Sequence, residues 1–200
     1  MNILSKNFIF SFCLAFLILT LTFILSLKYV NENSKLNISQ SLKNVNLLTN
    51  KGKKVSDLNF SGSPVLLFFG FTHCPEICPS ILSKLENIIY EERKLNDEIK
   101  IVFVTLDPNR DTVEALNDYI SSFDSFVIGI TGKMEELNKL AKYWNVYWEK
   151  VPYNKDDYNI NHTATVFMLD SKGDFSGTIS WGESEASTRI KIRNLIKNVS

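Results

Sequence analysis

Residues 8 to 27, FIFSFCLAFLILTLTFILSL, hold no charged side chain over 20 consecutive positions. At a rise of about 1.5 Å per residue, a helix of that length crosses a hydrocarbon core of roughly 30 Å. A secretory signal instead carries an apolar region of about 7–15 residues followed by a small-x-small cleavage site. Here the run ends in Ser26-Leu27-Lys28-Tyr29 without such a site, so we read residues 8–27 as an uncleaved transmembrane anchor and residues 1–7 as a short cytoplasmic N-terminus. Lys6 before the run and Lys28 after it give only a faint positive-inside bias. The short tail is more easily left inside than the large remainder, which places the rest of the chain outside. Cys13 lies within the run with no small-residue sequence before it and reads as a packing or lipid-facing cysteine.

After the anchor, residues 28–44 are rich in Asn, Ser and Lys without apolar period, the pattern of a solvated tether. A folded domain is expected over 45–200, and 200 residues with 44% hydrophobic content suffice for one domain and an anchor, not for two domains. Lys+Arg and Asp+Glu are equal at 22 each, and no basic stripe alternates with aromatics. Nothing here attracts a phosphate backbone, so nucleic acid is excluded as a partner.

Within the domain, Asn46 to Val55 reads as two short strands around a turn at Asn50-Lys51-Gly52. Pro64 to Phe71, PVLLFFGF, is a continuous apolar run of strand length, as expected of a strand covered on both faces in a parallel region. A helix from about Pro79 to Lys94 keeps Ile81, Leu85, Ile88 and Ile89 on one face, and a strand comes next at Lys100 to Leu106. Asp111 and Glu114 have capping-box spacing and open a helix to about Ser122. A strand at Phe126 to Ile130 precedes a helix from Met134 to Trp144 that turns Leu137, Leu140, Ala141 and Trp144 inward. Val146 to Ile160 reads as a long loop just before His162, able to swing that side chain in or out. Thr163 to Leu169 and Phe175 to Trp181 flank a hairpin turn at Asp170 to Asp174, and a last helix spans about Glu185 to Asn198. Strands separated by helices and ending in a hairpin and a helix give an α/β thioredoxin-like fold, a central mixed sheet flanked by helices.

The chemistry gathers in GFTHCPEICPS, residues 70 to 80, which sets Cys74 and Cys78 four positions apart before the first helix of the domain. Two thiols so close can share a soft metal ion or oxidise to a disulfide, and an extracytoplasmic space permits the latter. Pro79 disfavours helical geometry at the residue before it and suits the first helical position, which puts Cys78 at the N-cap and Cys74 in the loop. The chain has two histidines, His73 and His162. His73 adjoins Cys74 and should point away from the sulfur's side.

These segments together, GFTHCPEICPS, then LDPNRDT at 106 to 112, TGKMEELNKLAKYWNV from 131 and NHTATVFMLDSKGD from 161, resemble in order and spacing the Sco/SenC family of membrane-anchored copper proteins that assemble cytochrome c oxidase. The resemblance implies a thioredoxin-like fold and a copper site whose ligands fall on Cys74, Cys78 and His162. The family often has Asp where this chain has Glu76 and Asn161; the first change keeps a carboxylate, and the second removes one beside the implied ligand imidazole. In thioredoxin-like proteins a Pro usually precedes the Thr of the corresponding strand, whereas here His162 precedes Thr163. Both sulfurs near a helix N-terminus would favour thiolates. Two thiolates and an imidazole suit Cu(I) and hold Cu(II) if another group completes the site.

Two functions are expected on these grounds. One is a metallochaperone delivering copper to cytochrome c oxidase subunit II or a similar copper-receiving subunit, supplied by a copper donor protein and kept reduced by a thiol reductase. In the other, Cys74 and Cys78 are the redox pair of a thiol-disulfide oxidoreductase acting on the recipient's cysteines. The expected location is the cytoplasmic (inner) membrane with the domain facing the periplasm, or the mitochondrial inner membrane facing the intermembrane space. Asp107, Pro108, Arg110 and Asp111 read as a strand end, turn and helix cap that support the loop near the site.

Overall fold

The structure is a computed structural model that describes residues 3–33, 36–55, 60, 62–92, 99–124, 126–154 and 157–197. It divides into two units, one ending at Lys35 and one beginning at Leu36. The first is a single helix, α1 (Ile3–Asn33), whose stretch Phe8–Lys28 is long and apolar enough to cross a membrane by length and composition.

The second unit runs α2 (Ile38–Leu42), β1 (Leu47–Thr49), β2 (Val65–Gly70), α3 (Ile77–Glu92), β3 (Lys100–Thr105), α4 (Val113–Ile120), β4 (Val127–Gly132), α5 (Met134–Tyr143), β5 (Trp148–Asn154), β6 (Asp157–His162), β7 (Thr165–Leu169), β8 (Phe175–Ser180) and α6 (Glu185–Lys197). Six strands form one sheet in the order β1-β4-β3-β2-β7-β8. β2, β3 and β4 are parallel to one another, while β1, β7 and β8 join antiparallel, so the sheet is mixed with a parallel centre.

The apolar run at 64–71 is continuous because β2 is covered on both faces. Side chains alternate across a strand, and here Leu66 and Phe68 face one core with Ile101, Phe103 and the buried side of α3, while Val65, Leu67 and Phe69 face a second core with Val102, Val104 and α5. Each such side chain contributes about 1.5–3 kcal/mol on burial. On α5, Leu137, Leu140, Ala141 and then Trp144 are buried as their helical spacing predicts.

Several boundaries differ from expectation. The tether placed at 28–44 is shorter, because Leu36 to Lys43 belongs to the folded unit. Asn37 caps α2 and its Nδ2 donates to Asp174 Oδ1 at 2.5 Å, and Ile38 is 3% exposed. One buried isoleucine in a polar stretch is too little periodicity to be seen in sequence. Of the two strands expected at 46–55, β1 forms, and Lys54 contributes only an isolated bridge to Leu48. The cap of α4 is Thr112, whose side chain accepts from the Ala115 amide; Asp111 is instead fully buried. The stretch expected as a loop over 146–160 is a two-stranded hairpin, β5 paired with β6. The expected helix end at Lys94 and the residue Asn198 lie outside the described residues.

Candidate metal centre

β2 delivers the chain to the site and ends at Gly70, where a Cβ would stand 2.7 Å from the Phe103 ring and 2.9 Å from Cys78 Sγ. No side chain fits there. The chain then turns through Phe71 to Glu76 into α3, which begins at Ile77, two residues earlier than expected. Cys78 therefore lies inside the first helical turn rather than at the N-cap, and is buried. Pro79 is accommodated because the amides of the first turn have no intrahelical partner in any case. Cys74 stays in the loop, half-buried, and its sulfur takes over the capping task by accepting from the Cys78 amide at 3.4 Å.

The two thiols are consequently unequal. Cys74 is lowered to about 6, first because the Cys78 thiol donates to its sulfur, with burial opposing and the amides of Cys78, Glu76 and Ile77 assisting. Cys78 is pushed upward because it is the donor, because it is buried and because the Cys74 charge sits beside it. At neutral pH the pair is thus one thiolate on the loop and one retained proton on the helix. In the metal-free reduced chain, alkylation of Cys74 should rise with a midpoint near pH 6, while Cys78, held protonated, stays unmodified over the same range. Peptide mass mapping after a short iodoacetamide pulse reads this; a Cys74 midpoint at the ordinary thiol value of about 8.5 would contradict it.

His162 ends β6 and reaches the pair from the hairpin side, with Nε2 3.7 Å from Cys78 Sγ. Its Nδ1 lies 3.1 Å from the Thr163 carbonyl oxygen. A carbonyl only accepts, so Nδ1 holds the proton and Nε2 is left with its lone pair facing the thiol. Burial lowers the imidazole's affinity for a second proton. The ring packs edge-on to Phe71 at 5.9 Å and tilted to Phe68 at 6.1 Å. A neutral, oriented imidazole and a thiol 3.7 Å apart have the separation of two donors on one ion, given metal–ligand bonds of about 2.0–2.3 Å. Among the described residues no three His, Cys, Asp or Glu side chains stand closed around a common point. A cleft of about 380 Å³ lined by Phe71, Cys74, Glu76, Asn161 and His162 gives access.

The structure sets Cys78 against Cys74 on one side and against His162 on the other. His73 is 56% exposed and bonds Thr72 rather than a cysteine, as its adjacency to Cys74 predicts. Asp111 buttresses the loop from below, accepting from the Thr72 amide at 3.0 Å and from the hydroxyls of Thr72 and Thr105, both at 2.5 Å. Missed from sequence was Tyr158, whose signal was the alternation Tyr158-x-Ile160-x-His162 within what looked like a polar loop.

Comparison with known proteins gives a consistent picture. The family model described as SCO1/SenC matches residues 37–197. The human protein named SCO1 homolog, mitochondrial, is 33% identical over 132 residues, covering 64% of this chain and 44% of that protein. The chain therefore spans under half the length of that relative. Among solved structures, Arabidopsis thaliana ScoI with copper bound superposes with a TM-score of 0.72 at 30% identity, covering 77% of this chain and 96% of that one. Bradyrhizobium japonicum ScoI with copper bound gives 0.68 at 32% identity, covering 76% and 96%.

Proposed function

The chain belongs to the SCO1/SenC family, and from that membership we propose that it binds copper through Cys74, Cys78 and His162 and delivers it to a copper centre of cytochrome c oxidase during assembly. The observation that carries this reading is the placement of His162 Nε2 3.7 Å from Cys78 Sγ, beside a Cys74 already disposed to be a thiolate. Two of the solved relatives at 30% identity or more are copper-bound.

Copper is cargo here, and the chain's residues divide the work. Cys74 is the accessible sulfur and the first to engage the ion. Cys78 gives up its proton on binding, and its burial in the first turn of α3 fixes the direction of the second bond. His162 supplies nitrogen from the opposite side without needing deprotonation. Two thiolates with Cu(I) carry a net charge of minus one, and soft sulfur favours that oxidation state. Release runs through Cys74, because the more accessible of the two sulfurs is the one an incoming cysteine of the acceptor can replace. Asn161 lies exposed next to His162 and is uncharged, with Glu149 opposite it on β5. Helix α1 is the membrane anchor, with the folded unit on the periplasmic side of a cytoplasmic membrane.

A second reading rests on a specific observation: a thiolate beside a protonated thiol four residues on is also the resting state of a dithiol that attacks disulfides. Oxidase activity in cells deleted for this protein separates the two. A carrier predicts partial rescue by added copper and none by a small-molecule reductant, with His162→Ala failing to complement. Full complementation by His162→Ala together with rescue by reductant alone would assign the protein to thiol exchange instead.

A further inference from the structure

The β5–β6 hairpin carries His162 but takes no part in the six-stranded sheet. The sheet holds only one end of β6, through Thr165 three residues beyond His162, and the rest of the hairpin needs another hold. On β6, Tyr158, Ile160 and His162 lie on one face by strand alternation, the first about 13 Å from the last. Ile160 is buried in the core that contains Phe68, Phe71 and Cys78. At the far end of that face the Tyr158 hydroxyl donates to both carboxyl oxygens of Asp107, at 2.8 and 3.0 Å, and Asp107 is fully buried.

Further links converge on the same carboxyl group. Arg110 Nε donates to Asp107, and its Nη1 reaches across to the Tyr158 carbonyl and to Asp157, both at 3.1 Å. The guanidinium lies 3.9 Å from the centre of the Tyr158 ring. From β5, the Lys150 ammonium stands 3.7 Å from Asp107 and 4.0 Å from the same ring. On the sheet side, the Asp107 amide donates to Thr105 Oγ1 at 2.9 Å and the Leu106 amide to the Gly70 carbonyl at 2.7 Å. Gly70 is the residue against which Cys78 Sγ rests. One turn thus adjoins the backing of the cysteine on one side and grips the strand of the histidine on the other. The Asp107 carbonyl closes the turn by accepting from the amides of Arg110 and Asp111, while its side chain bonds Arg110 within the turn and meets Tyr158 and Lys150 on the hairpin.

The geometry points to Asp107, acting through Tyr158 and Arg110, as the positioning residue that holds the hairpin so that His162 faces the two cysteines. This rests on His162 being a copper ligand, and its test has an arm that needs no copper. In the reduced, metal-free full chain in detergent, labelled histidine gives two ring signals, of which His162 is identified by its loss in His162→Gln. The expected result is one sharp His162 signal in the wild type that shifts or broadens by exchange in Tyr158→Phe and in Asp107→Asn. With copper, Tyr158→Phe should weaken Cu(II) binding about tenfold, the effect of one charge-assisted hydrogen bond on an equilibrium, and should weaken it no further in a His162→Ala background. An unchanged His162 signal in Tyr158→Phe, or a Cu(II) loss of equal size with and without His162, would overturn the inference. If Asp107→Asn does not fold, Tyr158→Phe, which removes one oxygen, decides alone. A wild-type chain that binds no copper would sink the proposed function, and the ring signals would still decide this inference.

Discussion

A reduced chain in which Cys74 and Cys78 are both serine should retain no stoichiometric copper. Hydroxyls are hard and protonated at neutral pH, so replacing both soft thiolates removes the donors that favour Cu(I), and a loss of at least about three orders of magnitude in affinity is expected. The single variants should be unequal. Cys74→Ser removes the thiolate that is formed in advance of binding and lines the cleft, so it should slow capture as well as weaken it. Cys78→Ser keeps a hydroxyl that can still donate to Cys74 but removes the buried sulfur, so it should weaken Cu(I) binding while Cys74 stays a ready thiolate. Competition against a chromophoric Cu(I) chelator reads all three. Copper retained at one per chain in the double variant would place the site elsewhere.

The second large effect is on stability, at Asp111. Its carboxyl oxygens accept three hydrogen bonds, from the Thr72 amide and the hydroxyls of Thr72 and Thr105, with no exposure to solvent. Asp111→Ala leaves the buried Thr105 hydroxyl and the two half-buried donors of Thr72 without that acceptor, at about 1–3 kcal/mol for each unsatisfied group before relaxation. A net loss of about 4 kcal/mol is expected, about 10 °C in melting temperature for a unit of this size. Thr112→Ala, which removes the actual cap of α4, should cost about 1 kcal/mol. Thermal unfolding of the two variants side by side is the check. Equal small losses would mean that Asp111 works as the simple helix cap its spacing with Glu114 suggests.

That pair of residues also shows how far the sequence could be read. Capping-box spacing at Asp111 and Glu114 correctly announced a helix, but a one-residue offset between Asp111 and Thr112 decides which side chain caps and which turns inward, and spacing alone cannot resolve it. Strands with a uniform apolar run and helices with a strong period were legible, β2 and α5 above all, because one local pattern states both period and burial. The hairpin was not. Its polar face, Asn159 and Asn161, and Pro152 on its partner strand look like loop chemistry, and its stability comes from Tyr158 and Arg110 meeting Asp107, with Tyr158 some 50 positions away from the other two in the chain. The proposed ligand set, Cys74, Cys78 and His162, came from the family order of its segments, whereas the inequality of the two thiols depends on α3 starting at Ile77, a boundary that Pro79 obscured.

Copper-edge X-ray absorption on the loaded, reduced full chain tests the ligand set most directly. Cys74, Cys78 and His162 as ligands predict a first shell of two sulfurs and one nitrogen, and loss of the imidazole scattering alone in His162→Ala. A shell without sulfur, or imidazole scattering that persists in His162→Ala, would contradict it.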